Sequence, residues 1–287
     1  MEIHDIDKYI KLALKEDLGG EDITTNALVP VDDYSKAHIV VKENAMLCGL
    51  KIAREVFKKL DPKIIFHTLH KDSDHVEKNM IIATIKGQTR AILTGERTAL
   101  NFLGYLSGIA THTHKFIEAV RPYDVEILDT RKTAPGLRQL KKYAVKCGGG
   151  KNHRINLNEM VMIKDNHREA CHPHVSITES IHIARRHTRK TVEIEVDTLD
   201  QFLEAIKAHP DIILLDNMSF AEMKEAVKLN KKSVFLKKPL LEASGGITLH
   251  KVRHVAETGV DRISIGSLTH TTRMIDVSLE LLSDDDN

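Results

Sequence analysis

The sequence has few cysteines and no long apolar run, and both absences exclude classes of protein. Its three cysteines, Cys48, Cys147 and Cys171, are odd in number and show no CxxC spacing. This argues against a disulfide framework and favours a reducing compartment. Residues 1–11 lack the basic start and apolar core of a signal peptide, and no stretch is apolar enough to span a membrane. We therefore expect a cytoplasmic protein without a membrane segment.

The sequence also has almost no net charge. Its 287 residues include 42 Lys and Arg against 41 Asp and Glu, and 41% of them are apolar. A balanced charge argues against a nucleic-acid or membrane-surface partner, so any anion must be bound by a local cluster. The length and the apolar content suffice for one large domain or two ordinary ones.

From about residue 124 onward, short β-branched runs alternate with amphipathic helical stretches. Such alternation predicts βαβ units and a parallel sheet, and six right-handed units can curl into a barrel. An open doubly wound sheet is the competing architecture. The six predicted strands are Val125–Leu128, Met160–Ile163, Val192–Val196, Ile212–Leu215, Leu240–Ala243 and Arg262–Ile265. The helices predicted between them include Leu199–Ala208, Phe220–Leu229 and Leu249–Thr258.

The first hundred residues lack this rhythm and predict a separate α+β domain. We expect an N-terminal domain over residues 1–110, a barrel over 111–270, and a tail of about 271–287 that packs back on the first domain. The N-terminal prediction comprises helices at Ile6–Leu18 and Ile52–Leu60, strands at Ala37–Val41 and Ile81–Ile85, and a helix at Thr94–Leu106 that leads into the barrel.

Polar or glycine residues follow every predicted barrel strand. In a parallel barrel all these strand ends lie on the face where barrel enzymes build their active sites. Six such ends with charges of both signs favour a site over ordinary turns. The groups are Asp129–Lys132, Lys164–His167, Glu193 with Glu195, Asp216–Asn217, Ser244–Gly246 and Gly266–Ser267.

Two local patterns predict anion binding. Ser244, Gly245, Gly246 and Gly266 follow the last two strands, where barrels typically bind phosphate, although tight turns alone would also use these glycines. A basic cluster supplies Arg131, Lys132, Arg154 and Lys164 at turns and strand ends, which suits a substrate with several negative charges. We interpret Lys141, Lys142 and Lys146, on a predicted helix in the same cluster, as solvated helix charges.

The acidic and histidine residues leave several interpretations open. Glu195 and Asp216 end adjacent predicted strands and suit a Mg²⁺ ion, a cationic transition state or a salt bridge to nearby lysines. The pairs His112 with His114 and His172 with His174 have no further ligand at zinc spacing, so we expect surface or structural histidines. Between Asn152 and Arg154, His153 is the histidine we assign to substrate.

These segments together resemble the quinolinate phosphoribosyltransferase family over nearly the whole chain. Residues 130–138, TRKTAPGLR, are similar to its TRKTxPGLR motif, and 148–154 with 163–167 are similar to its GGGxxHR and IKDNH block. Further matching segments are 16–19, 22–25, 95–101, 193–196, 215–217, 242–247 and 259–270.

The resemblance implies an N-terminal α/β sandwich, an open α/β barrel, and the conversion of quinolinate and phosphoribosyl pyrophosphate to nicotinate mononucleotide, pyrophosphate and carbon dioxide. It implies Mg²⁺ without an organic cofactor, and a homodimer or higher oligomer in which Arg97 reaches the partner's active site. It assigns Arg131, His153, Arg154 and Lys164 to the quinolinate carboxylates, and Ser244, Gly245, Gly246 and Gly266 to the 5-phosphate. Lys132, Glu195 and Asp216 serve phosphoribosyl pyrophosphate and its Mg²⁺, with Lys132, Lys164, Glu195 and Asp216 as the catalytic set.

Two alternatives share this fold. One is a paralogue associated with molybdenum transport, against which the intact 152–154 and 163–167 segments argue. The other is a barrel that binds a phosphorylated ligand without catalysis. Retention of Lys132 together with Glu195 and Asp216 argues against it, because binding alone does not require an acidic pair beside a phosphate.

Overall fold

The computed structural model describes residues 6–234 and 237–282. Within this part, the chain forms two compact units: residues 6–114, 139–149 and 271–282 make up the first, and residues 115–138 and 150–270 the second. The chain therefore leaves the first unit, returns to it for one helix, and returns again at its end.

The elements are numbered in chain order. The helices are α1 (Ile6–Leu18), α2 (Ile23–Leu28), α3 (Leu50–Leu60), α4 (Thr89–Ala119), α5 (Arg138–Cys147), α6 (Asp165–Glu169), α7 (Ile177–His187), α8 (Leu199–Lys207), α9 (Phe220–Lys232), α10 (Leu249–Ala256) and α11 (Ser267–His270). The strands are β1 (Tyr34–Val41), β2 (Ala45–Met46), β3 (Ile65–Thr68), β4 (His75–Val76), β5 (Ile81–Gln88), β6 (Glu126–Leu128), β7 (Val161–Ile163), β8 (Val192–Val196), β9 (Ile212–Asp216), β10 (Leu240–Ser244), β11 (Arg262–Ser264) and β12 (Val277–Leu281).

The first unit contains an antiparallel sheet with the strand order β12-β1-β5-β3. Ile39 in β1 pairs with Leu279 of β12 on one side and with Ala83 of β5 on the other. Alternate residues of β1 point into the core, because side chains alternate across a strand. Ile39 and Val41 are fully buried, as are Val56 and Phe57 on α3.

Helix α4 is longer than the predicted helix Thr94–Leu106. Its glycines lower helix propensity, but they admit close backbone contacts that packing rewards. A Cβ at Gly108 would lie 2.1 Å from the carbonyl oxygen of Arg273, and Ile275 donates a hydrogen bond to the carbonyl of Gly104 at 2.9 Å. The segment that leads into β12 therefore runs directly against this helix.

The second unit confirms the predicted α/β barrel. Its parallel strands follow the order β6-β11-β10-β9-β8-β7, so the first barrel strand lies beside the last. An open doubly wound sheet would instead reverse its strand order at a switch point. The barrel is open between β6 and β7, where an isolated parallel bridge joins Leu128 to Lys151.

Short loops and capped helices place the strand ends together. The N-cap residues of α7, α8 and α9 are Ser176, Thr198 and Ser219, whose side chains accept backbone N–H groups of the first turn. Such caps satisfy donors that a helix start would leave unpaired. Ile212–Leu215 is buried at every position, as expected for a strand covered on both faces.

The helix α5 corrects the interpretation of its lysines. Lys146 is exposed as predicted, but the prediction of solvation is wrong for Lys141 and Lys142, which are 4% and 0% exposed. The ammonium of Lys141 lies 5.3 Å from the ring centre of Tyr105, because an amphipathic lysine can bury its stem and bind an aromatic face. A one-dimensional helical pattern did not reveal that these two lysines are buried.

The structure also bears on the His112 and His114 pair and on the predicted lack of a membrane segment. His112 and His114 lie in α4, where residues two apart point to different sides, so they do not share a face. No helix among the described residues is long and apolar enough to cross a membrane.

Candidate active site

A cavity of about 700 Å³ opens at the carboxyl ends of the barrel strands. All predicted site residues except Arg97 line it. Arg97 lies exposed on α4 of the first unit. The lining comprises Thr130, Arg131, Lys132, His153, Arg154, Met162, Lys164, Glu195, Leu214, Asp216, Asn217, Glu242, Ser244, Gly245, Gly246, Ile247, Thr248, Ser264, Ile265, Gly266, Ser267 and His270.

Asp129, at the end of β6, holds the loop that carries His153 and Arg154. It is fully buried, and its carboxylate accepts the side-chain amide of Asn152 at 2.6 Å and the backbone N–H of His153 at 2.9 Å. A buried carboxylate needs such donors. Asp129 therefore fixes the loop segment that carries His153 and Arg154.

Arg131 and Arg154 bring two guanidinium groups to the cavity. Arg154 is 9% exposed, and its guanidinium donates to the carbonyl of Met160 at 3.2 Å. Burial and the neighbouring charge of Arg131 lower the pKa of Arg154. The buried Nε of Arg131 has no hydrogen-bond partner among the described residues. These features suit an anionic ligand that supplies acceptors and relieves the repulsion.

His153 lies above two buried carboxylates. Its Nε2 is 3.1 Å from Glu193 and 3.3 Å from Glu242, and Arg262 approaches Glu242 at 3.4 Å. Burial opposes protonation of the ring, but the two glutamates outweigh it and raise the pKa of His153 to about 9. The backbone N–H of Arg154 lies 2.8 Å from Nδ1 and favours a neutral ring. The two carboxylates act on the ring together and exceed the effect of this single hydrogen bond, so the raised pKa favours the charged ring below about pH 9.

Lys164 and Glu195 form an ion pair at the rim of β7 and β8. The side chain of Lys164 is 41% exposed and that of Glu195 is 16% exposed. The salt bridge considered from the sequence is therefore present for Glu195. Both side chains nevertheless remain accessible from the cavity that they line.

Asp216 is oriented by its neighbour Asn217. The Asn217 side-chain amide donates to the Asp216 carboxylate at 2.8 Å, and its backbone N–H donates to the carbonyl of Ser244 at 3.0 Å. Gly245, with a φ of +97°, approaches Asn217 so closely that a Cβ would lie 2.1 Å from its side-chain oxygen. Only glycine fits this contact.

Lys132 lies beside the glycine that follows β11. Its Cδ is 3.3 Å from the position of a Cβ on Gly266, and its carbonyl accepts the hydroxyl of Thr269 at 2.8 Å. The glycine turn after β10 and Thr248, the N-cap residue of α10, line the same cavity. Lys132 thus lies next to the part of the site where backbone N–H groups suit a phosphate.

Sequence reasoning gave no role to the groups that hold His153 and its loop. Asp129 and Glu193 counted only as polar strand ends, and Glu242 and Arg262 carried no predicted role. In the structure Asp129 holds the loop, Glu193 and Glu242 contact His153, and Arg262 contacts Glu242. The sequence did contain a signal for the two buried glutamates. Glu193 stands two residues before Glu195, hence on the same face of β8, and Glu242 lies between two apolar residues of β10.

The acidic pair fits a magnesium ion in its chemistry. Glu195 pairs in register with Leu214, so Glu195, Leu214 and Asp216 share the inner face of the barrel. Carboxylate oxygens are the ligands that Mg²⁺ prefers, and this ion usually keeps waters and substrate phosphates as its other ligands. Two carboxylates facing the cavity agree with that pattern.

Comparison with known proteins places the chain in one family. Residues 22–107 match the model for the quinolinate phosphoribosyl transferase N-terminal domain, and residues 109–280 match the C-terminal domain. A probable nicotinate-nucleotide pyrophosphorylase (carboxylating) of Synechocystis is 39% identical over 281 residues, covering 96% of this chain and 92% of that protein.

Two further proteins agree with this match. The Bacillus subtilis protein described as a probable nicotinate-nucleotide pyrophosphorylase (carboxylating) is 39% identical over 268 residues, covering 93% of this chain and 90% of that protein. The structure of the nicotinate-nucleotide pyrophosphorylase from Francisella tularensis is similar with a TM-score of 0.92 and 38% identity, covering 98% of each chain.

Fold and cavity together define an α/β-barrel enzyme whose cavity is lined by several basic side chains. The chain belongs to the quinolinate phosphoribosyltransferase family, whose members are phosphoribosyltransferases.

Proposed function

We propose that this chain transfers a phosphoribosyl group from phosphoribosyl pyrophosphate to quinolinate, releasing pyrophosphate and carbon dioxide and forming nicotinate mononucleotide for NAD biosynthesis. The observation that carries the proposal is one cavity that joins a cluster of guanidinium groups, a glycine turn and an acidic pair. The guanidinium groups suit a dicarboxylate, the glycine turn suits a phosphate, and the acidic pair suits a metal-bound diphosphate.

The basic part of the cavity suits quinolinate. Arg131, Arg154, His153 and Lys164 supply positive charge to two adjacent carboxylates, and arginine binds a carboxylate through two parallel hydrogen bonds. Partial burial strengthens these contacts because water screens them less. The same groups would select against a monocarboxylate, since an unpaired buried guanidinium is costly.

The glycine part of the cavity suits the phosphoribosyl group. Ser244, Gly245, Gly246 and Gly266 would bind the 5-phosphate. Lys132, which lies beside Gly266, would bind the diphosphate. Glu195 and Asp216 would hold Mg²⁺, which neutralises charge on the leaving pyrophosphate when it is bound.

The chemistry needs positioning and charge more than a protein nucleophile. The quinolinate nitrogen attacks C1 of the ribose as pyrophosphate leaves, and a carboxylate near the ribose would stabilise positive charge at C1. The pyridinium that forms accepts the electron pair released when the adjacent carboxylate leaves as carbon dioxide. The Arg and Lys contacts hold the ring in the orientation for attack.

We also propose a homodimer with shared active sites, in which Arg97 of one subunit serves the cavity of its partner. Arg97 is exposed on α4 and is not one of the residues that line the cavity of its own chain, which supports this role. A cytoplasmic location agrees with three free cysteines, which a reducing compartment preserves.

A turnover assay on the purified protein tests the proposal. Carbon dioxide release is followed with quinolinate, phosphoribosyl pyrophosphate and Mg²⁺, and nicotinate serves as the control substrate. We expect release with quinolinate, none with nicotinate, and none after a chelator removes Mg²⁺. Nucleotide formation from nicotinate without carbon dioxide would assign another transferase activity. Inactivity of a folded protein with both substrates would favour the paralogue or the binding protein.

A further inference from the structure

Two thiols, a carboxylate and a phenol lie together inside the first unit, and the proposed reaction uses none of them. The sulfur atoms of Cys48 and Cys147 and a carboxylate oxygen of Asp72 all lie within 4.8 Å of one another. Tyr143 donates its hydroxyl to Asp72 at 2.6 Å. Cys48 is 0% exposed and Cys147 is 5% exposed.

The backbone of both cysteines is held in place. The N–H of Cys48 donates to the hydroxyl oxygen of Ser107 at 3.0 Å, and that hydroxyl donates to the Cys48 carbonyl at 3.2 Å. Cys147 ends α5, and Gly148 after it packs so closely on α4 that a Cβ would lie 2.3 Å from the carbonyl oxygen of Ala110. Neither cysteine can withdraw from the other without disturbing this packing.

The surroundings make the two thiols chemically different. A hydrogen bond from Cys48 lowers the pKa of Cys147, and a hydrogen bond from Ser73 lowers it further; together they outweigh burial and the charge of Asp72, which raise it. Burial raises the pKa of Cys48. Because the thiolate is the reactive form, Cys147 is the attacking sulfur and Cys48 the second thiol.

Metal binding is the other chemistry open to such a cluster, and the hydrogen bonds of Asp72 argue against it. One carboxylate oxygen accepts the backbone N–H groups of Gly49 and Leu50, both at 3.0 Å, at the start of α3. The other accepts the hydroxyl of Tyr143. The carboxylate is therefore occupied, and two thiols fall short of the four ligands of a closed structural zinc site.

We propose that Cys48 and Cys147 form a reversible disulfide when hydrogen peroxide oxidises the protein. The Cys147 thiolate attacks a peroxide oxygen, forming a sulfenic acid and releasing one water after protonation. Cys48 then attacks the Cys147 sulfur, forms the S–S bond and expels the hydroxyl as a second water. The two thiols lose two electrons and two protons, and hydrogen peroxide is reduced to two waters. A dithiol reductant reverses the bond.

Thiol counting and peptide mapping of the full chain test this proposal. After hydrogen peroxide, thiols are alkylated in denaturant and the protein is digested without reductant. We expect the alkylated thiols to fall from three to one, with a linked peptide pair that contains Cys48 and Cys147. Dithiothreitol should restore all three. Cys171→Ser should form the same bond, and Cys147→Ser should not.

The wild-type map decides the question even where Cys147→Ser fails to fold. Free Cys48 and Cys147 under peroxide that oxidises Cys171, which is only partly buried, would overturn the proposal. Sulfinic acid at Cys147 without a bond to Cys48 would also do so. Zinc that co-purifies with the protein and is lost in Cys48→Ser would assign a metal site instead.

Discussion

Arg154 is a buried guanidinium whose nearest charged neighbours include another guanidinium, that of Arg131. Like charges brought together in a low-dielectric site raise the free energy of the unliganded protein. An anion that contacts both removes this cost, so the two side chains contribute more to binding than to folding. Their effects should therefore appear in substrate affinity.

Replacing Arg154 by alanine should weaken quinolinate binding without unfolding the protein. Hydrogen bonds to charged groups contribute about 1.5–3 kcal/mol, so we expect the KM for quinolinate to rise roughly 10- to 150-fold. The KM for phosphoribosyl pyrophosphate should change little. Steady-state kinetics with each substrate varied in turn gives both values. Arg189→Ala, an exposed position outside the cavity, is the control. Equal loss for both substrates would contradict the assignment.

The charge of His153 predicts a pH dependence of stability. Its pKa is raised to about 9 in the folded protein, above the value of about 6.5 expected when unfolded. A raised pKa contributes stability that is complete below about pH 6.5 and is lost as pH rises through about 9. The difference in free energy of unfolding between the wild type and His153→Asn should shrink over this window.

Urea unfolding at several pH values measures this difference. His187→Asn, on the exposed side of α7, is the matched control and should show no such trend. A wild-type advantage that stays constant from pH 6 to pH 10 would mean that the ring is neutral and that Arg154 fixes its tautomer.

At the scale of elements, the turn between β10 and α10 contains two glycines, and their surroundings leave different amounts of space for a side chain. Both have positive φ, at +97° for Gly245 and +55° for Gly246, but only Gly245 contacts Asn217. A left-handed conformation costs an L-residue about 1–2 kcal/mol, and Gly245→Ala adds a steric overlap. We expect Gly245→Ala to lose at least about 1 kcal/mol more free energy of unfolding than Gly246→Ala.

Chemical denaturation of the two variants tests this order, and activity gives a second readout. Displacing Asn217 should also disturb its hydrogen bond to Asp216, so Gly245→Ala should raise the KM for phosphoribosyl pyrophosphate more than Gly246→Ala does. Equal losses would show that the backbone conformation alone is limiting and that the contact with Asn217 is soft.

The sequence predicts the elements well because each barrel strand is a short apolar run between turn residues. Strand ends such as Asp216 and Ser244 were placed correctly for the same reason. The local periodicity of a sequence does not show which distant segments pack against an element. The full length of α4 and the burial of Lys142 depend on contacts far along the chain. The buried group of Glu193 and Glu242 needed the barrel to bring two strands to one histidine.

At the scale of the whole molecule, a shared active site predicts complementation between inactive subunits. Arg97→Ala and Lys132→Ala should each abolish most activity. Mixed by co-refolding, half of the dimers would be hybrids, and each would hold one intact site. Activity should then recover to about a quarter of the wild-type value. Turnover of the mixture against each variant alone is the measurement, and no recovery would contradict a shared site.

The sequence supports the predicted roles of Arg131 and Arg154 better than that of Arg97. Motif similarity pointed to Arg131 and Arg154, and the geometry brings their charges together. The same similarity pointed to Arg97, which lies outside the cavity lining of the single chain. A role that depends on a second chain cannot be derived from one chain, because the contact forms only on association.

The position of β12 has a consequence for the protein as it leaves the ribosome. This strand ends the described chain, yet it covers the edge of β1, whose other neighbour β5 is made nearly two hundred residues earlier. While the barrel is being synthesised, β1 is an unpaired edge strand of the antiparallel sheet. Such an edge can pair with strands of other chains. The first unit therefore stays incomplete until β12 has been synthesised, and the exposed edge of β1 needs protection until then.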